Sequence, residues 1–116
     1  MIKAIKLKKI IKGIFIKHNL IIKDATICAE ALVNAELVGA PSHGLSRLKM
    51  YCDRINKKVI NPKPKITIKN ISQSISHINA NNSIGFVAAD IGIKKAIESA
   101  KKTGFSLVGI KNSGHY

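Results

Sequence analysis

Two short runs of this chain carry residues whose types and spacing could do chemistry. The first is Ser42-His43-Gly44-Leu45-Ser46-Arg47, with Tyr51 beyond it. On a helix His43, Arg47 and Tyr51, each four residues from the next, project from one face. If Ser42 caps that helix, His43 lies in its first turn, where free backbone N–H groups and the helix dipole favour an anion. Arg47 adds a planar fork that matches a carboxylate. An imidazole beside a carboxylate-binding arginine suits hydride exchange with a 2-keto acid: the arginine orients the substrate and the histidine protonates the carbonyl oxygen. By spacing alone, a Ser-capped helix with an exposed histidine and a solvated arginine explains the same residues more plainly.

The second run, Asn112-Ser113-Gly114-His115, follows a strand candidate. In α/β folds ligands collect at the carboxyl ends of strands, so His115 is a second acid/base or substrate-contact candidate. A polar turn explains that run equally well taken alone. A metal site is not indicated, for there is no His-x-x-Glu-His and no Cys pair at ligand spacing. Nor does a Gly-x-Gly-x-x-Gly follow any strand candidate, which argues against a Rossmann phosphate site.

The elements that must position these runs can be read from periodicity. Leu7, Ile10, Ile11, Ile14 and Phe15 recur at helical spacing in a first helix. Asp24 is the expected N-cap of a second, running to about Val38 and burying Cys28, Ala31, Leu32 and Ala35. Gly39-Ala40-Pro41 stops it. A third helix is expected from His43 to about Ile55, then an extended linker, Asn61-Pro62-Lys63-Pro64. Strands are expected at Ile66–Ile71 and Ser74–Ile78, and a turn at Asn79–Ser83, since Asn tolerates left-handed backbone. A fourth helix from about Phe86 to Thr103 should bury Ile93, Ala96, Ile97 and Ala100. Gly104 ends it, and Phe105–Ile110 reads as a strand buried on both faces. The class is α+β: a helical region over residues 1–60, then the first strands and helix of an α/β domain over 61–116. The run ends directly after a strand, where such a fold turns into its next element, so an incomplete fold is expected.

Composition bounds the partners. Apolar residues make up 46% of the 116, but aromatics only 4%, so the core must rest on Ile, Leu, Val and Ala. The net charge of +14 invites a lysine-rich module for nucleic acid or anionic membrane. Its basic residues are nearly all Lys, scattered from Lys3 to Lys111 without interleaved aromatics. The accompanying Ile and Asn point to A/T-rich coding instead, and neither nucleic acid nor membrane is the expected partner. Cys28 and Cys52 lie far apart, no secretory h-region is visible, and a reducing cytoplasm is the expected setting.

Taken together, Gly39-Ala40-Pro41-Ser42-His43-Gly44 with Arg47 and Tyr51, then Asn82-Ser83-Ile84-Gly85, and finally Val108–His115 resemble a known family. This is the malate/L-lactate/ureidoglycolate dehydrogenase family of non-Rossmann 2-hydroxyacid oxidoreductases, in its amino-terminal third. The resemblance implies a homodimeric enzyme using NAD or NADP with a small 2-hydroxy or 2-keto acid. It matches His43 and His115 to catalytic positions, and Ser42 and Arg47 to substrate-binding ones. It places the cofactor-binding residues beyond Tyr116, so a truncated dehydrogenase without turnover of its own is expected. Two departures stand out: Lys57-Lys58 replaces a linker glycine, making a left-handed turn harder there, and Asn79-Ala80-Asn81 replaces an Asp-Gly-type turn.

Overall fold

A computed structural model describes residues 2–115, which fall into two compact units dividing between Lys63 and Pro64. The first unit holds α1 (Ala4–Lys17), α2 (Ile22–Leu37), two 3-10 turns (Pro41–His43 and Leu45–Arg47) and α3 (Leu48–Asn56). Helices α1 and α2 pack together, burying Ile11 and Phe15 with Ala25, Cys28, Ala29, Leu32 and Val33. These positions recur at three- and four-residue intervals, as a one-sided helix requires. Leu20, Tyr51, Ile55 and Ile60 are also buried. The expected stripe on α2 is half right: Cys28 and Leu32 are buried, whereas Ala31 and Ala35 are half-buried.

Two expectations about helix starts are corrected. Asp24 is not the N-cap of α2, because the Ala25 amide already donates to the Ile21 carbonyl and the helix begins at Ile22. Asp24 sits instead in the first turn, where a carboxylate complements the free amides. Nor does Ser42 cap a helix starting at His43. Gly44, with φ −102 and ψ −135, leaves helical geometry, so two tight turns replace the first helical turns and α3 starts at Leu48. His43, Arg47 and Tyr51 therefore do not share one helix face.

Three helices in this unit end alike, each through a residue in the left-handed region: Asn19 (φ 73), Gly39 (φ 78) and Lys58 (φ 62). In each case two successive amides turn back to the last turn, as Gly39 does to Glu36 and Ala40 to Ala35. Lys58 repeats the motif with bonds from Lys58 to Ile55 and Val59 to Arg54. Lys58 thus adopts the backbone that glycine favours, at a cost of about 1 kcal/mol.

The second unit holds β1 (Thr67–Asn70), β2 (Ile75–Ser83), α4 (Gly85–Thr103) and β3 (Leu107–Ser113) in sheet order β1-β2-β3. β1 and β2 are antiparallel; β2 and β3 are parallel, joined through α4. The hairpin turn lies at Ile71–Ser74, where the Ser72 hydroxyl accepts the amides of Ser74 and Ile75. Asn79–Ser83, expected as a turn, continues β2. Its left-handed Asn81 (φ 50) and Asn82 (φ 62) form an irregularity inside the strand.

The inward face of α4 is also corrected. Ile93 and Ile97 are exposed, and Ala96 and Ala100 are half-buried. The buried residues are Gly85, Val87, Ala88, Gly92 and Ser99. A Cβ on Gly92 would lie 2.8 Å from the Ile110 side chain, so the small residues turn inward because they allow close approach to the sheet. β3 is not buried on both faces either. It is an edge of this sheet, with Leu107 56% exposed and Val108 and Ile110 half-buried. Apolar character in a sequence records what a face is suited to cover, and these side chains are covered only in part among the described residues.

Candidate active site

The Ser42–Arg47 segment is built on a side chain that reaches over it. Glu36 lies in the last turn of α2, where the helix dipole disfavours a carboxylate. Its Oε1 accepts the Leu45 amide at 2.8 Å. A Cβ on Gly44 would run into this carboxylate, with Glu36 Cγ only 2.8 Å away, so the glycine makes room for the brace. Further bonds close the turns: Ser46 Oγ donates to the Pro41 carbonyl at 2.9 Å and Arg47 Nε to the Ser42 carbonyl at 2.8 Å.

Ser42, His43 and Arg47 are brought together by these turns. Ser42 Oγ stands 3.0 Å from Nδ1 of the exposed His43. A hydroxyl can donate to the neutral ring at Nδ1 or accept from the imidazolium there, so Ser42 can orient His43 in both protonation states. Arg47 is half-buried, with Nε committed to backbone and Nη1 3.9 Å from the Met50 sulfur. Its two Nη groups remain the edge suited to a carboxylate. Tyr51, singled out with them by spacing, is buried, and burial pushes its phenol up despite the opposing pull of Arg47.

In the second unit the structure joins two stretches far apart in sequence. The Gly114 amide donates to the Ser83 carbonyl at 3.0 Å. A Cβ on Gly85 would lie 2.6 Å from the Gly114 carbonyl oxygen, so backbone lies directly against backbone at the start of α4. His115, exposed, follows this contact. Beside it, Asn79 Oδ1 accepts both the Asn81 amide and Asn112 Nδ2, each at 3.0 Å.

Sequence reasoning missed Glu36 and Asn79. An acid placed against the helix dipole just before a Ser-His-Gly run was the available signal for the first. For the second it was the density of Asn on both sides of one helix. Burial, with Asp24 adding, pushes the Cys28 thiol up to about 12. No group of three His, Cys, Asp or Glu able to hold a metal occurs among the described residues. No helix among them is long and apolar enough to cross a membrane.

A dinucleotide needs a phosphate cradle joined to a flat apolar slot. The second unit has an open cleft of about 580 Å³ lined by Lys95, Glu98, Lys102 and uncharged polar residues, and a separate apolar groove of about 240 Å³ between α4 and β3. Neither of these two cavities joins a phosphate cradle to an apolar slot.

The first unit carries a braced Ser-His-Gly-x-x-Arg segment and the second a mixed three-stranded sheet. The chain belongs to the malate/L-lactate dehydrogenase family, whose model matches residues 2–116. It is 40% identical over 92 residues to a malate/(S)-sulfolactate dehydrogenase of Methanothermus fervidus, covering 79% of this chain and 27% of that protein. Over 91 residues it is 36% identical to a ureidoglycolate dehydrogenase (NAD(+)) of Escherichia coli, covering 78% and 26%. A solved malate dehydrogenase of Pyrococcus horikoshii OT3 superposes with a TM-score of 0.96 at 36% identity, over 99% of this chain and 33% of that one. The chain thus spans about a third or less of the length of these relatives. They are dehydrogenases, and none supports a nucleic-acid module.

Proposed function

We propose that this chain supplies the substrate side of an NAD- or NADP-dependent 2-hydroxyacid dehydrogenase acting on a small acid of the malate, sulfolactate or ureidoglycolate kind. The observation that carries this reading is the clustering of Ser42, His43 and Arg47 in one braced segment of a family member. In it, Arg47 takes the substrate carboxylate through its Nη edge and Ser42 orients the imidazole. His43 gives its proton to the carbonyl oxygen, with His115 as the second candidate for that role. The redox half of the reaction is assigned to the part of the relatives' length that this chain does not span. Residues 61–116 are then the start of the catalytic domain. A homodimeric assembly and a cytoplasmic setting complete the reading.

The test is complementation. The 116-residue chain is assayed alone and fused to the remaining two-thirds of a close relative, with NADH or NADPH and a panel of small 2-keto acids. The chain alone should show no saturable turnover above a His43→Ala control, and the fusion should reduce at least one 2-keto acid. A folded fusion with no activity on any of them contradicts the reading.

A further inference from the structure

Among the described residues, five other than glycine have left-handed backbone, and three of these lie at one place: Asn81, Asn82 and Asn112. Such residues persist where the surroundings over-determine them, and they concentrate at functional sites. The surroundings here are specific. Between Asn79 and Ser83, β2 takes four steps while β3 takes only two, from Lys111 to Ser113. The surplus must loop out, and the left-handed residues make the loop.

One side chain ties both sides of it. The Asn81 amide can only donate, so the Asn79 atom that it meets at 3.0 Å must be the oxygen. That same oxygen also receives Asn112 Nδ2, from the neighbouring strand. Just beyond, Gly114 bonds to Ser83 and its carbonyl packs on Gly85. The segment carrying His115 is therefore fixed at two successive points, and the first of them is Asn79.

We propose that Asn79 is a positioning residue for His115, its side-chain oxygen clamping the β2 loop to the end of β3 and so setting where the imidazole stands. This rests on His115 having the proton-donor role for which it is the second candidate under Proposed function. The role needs an acceptor and not an amide as such, so an aspartate serves equally. An apolar side chain of similar size does not.

The experiment has two arms. In the 116-residue chain, Asn79→Leu should speed amide exchange at Asn81 and Gly114 by about tenfold and shift the His115 ring resonances. Amides of β1 and of the middle of α4 should keep their rates, and Asn79→Asp should restore the wild-type pattern. In the fusion, Asn79→Leu should lower kcat by roughly 10- to 100-fold with KM little changed, and Asn79→Asp should recover it. If Asn79→Leu does not fold, Asn112→Ala cuts the same link from the other strand and should shift Gly114 and His115 alike. Unchanged exchange at Gly114 and unchanged His115 resonances in the folded variant overturn the proposal, as does an Asn79→Asp variant as impaired as Asn79→Leu. Should the unmodified fusion be inactive, the functional reading fails and the exchange arm still decides this one.

Discussion

The two candidate stretches are held by opposite means. Ser42–Arg47 is held by a side chain, the Glu36 carboxylate lying over Gly44 and accepting the Leu45 amide. Gly114-His115 is held mainly by backbone against backbone, with Gly85 beneath two carbonyls. A side-chain brace can move aside when crowded, whereas a backbone contact cannot without shifting a helix or a strand. The same residue type, glycine, thus serves a replaceable arrangement in one unit and an unforgiving one in the other.

The largest expected effect follows from that difference. Gly85→Ala should cost on the order of 3 kcal/mol in denaturant unfolding, because its methyl group meets backbone oxygen. Gly44→Ala should cost less, about 1–2 kcal/mol, since it displaces Glu36 and forfeits one charge-assisted hydrogen bond. Glu36→Ala should match Gly44→Ala and speed exchange of the Leu45 amide. Equal losses for Gly85→Ala and Gly44→Ala would break the comparison.

A smaller effect tests the first unit's interior. The Cys28 thiol, at about 12 when folded against an ordinary 9.0, loses its proton more readily once unfolded. Over that interval the unfolded state binds fewer protons, so stability falls as pH rises. Between about pH 9 and pH 10 the loss should be roughly 1 kcal/mol, and Cys28→Ala should remove that share of it. Tyr51, also pushed up by burial, leaves a residual slope at higher pH. A pH-independent stability over that range contradicts the assignment of Cys28 as a buried, protonated thiol.

The smallest effect is a gain. Lys58→Gly relieves a left-handed lysine and should raise stability by about 0.5–1 kcal/mol, with Asn19→Gly gaining less because Asn tolerates that region better. A loss on Lys58→Gly would mean that the lysine side chain supplies more than its backbone strain costs.

These cases also mark what was legible in the sequence. Helix existence and the stops of α2 and α4 were, because apolar period and glycine at Gly39 and Gly104 act locally. The α+β class and the family followed from motifs whose residues stand as expected in order and spacing. The helix face was not legible at α4, where Ile93 and Ile97 are apolar yet exposed. Periodicity cannot tell a face that covers its own sheet from one suited to a further neighbour. The start of α3 was missed because Gly44 acts through Glu36, a contact between residues eight apart in two elements. The Asn79–Ser83 reading had the right backbone and the wrong element: left-handed Asn was foreseen, but its place inside a strand depends on pairing with β3.

The most direct test of the account is the kinetics of single substitutions in the fused enzyme. Arg47→Lys keeps the charge and loses the fork, so KM for the 2-keto acid should rise with kcat nearly unchanged. His43→Ala should lower kcat by roughly 10²- to 10⁴-fold, as expected for loss of the proton donor. If His115 is the donor, the large loss moves to His115→Ala and His43→Ala raises KM instead. Small and equal effects at both histidines would contradict the assignment of this chain to the proton-transfer side of the reaction.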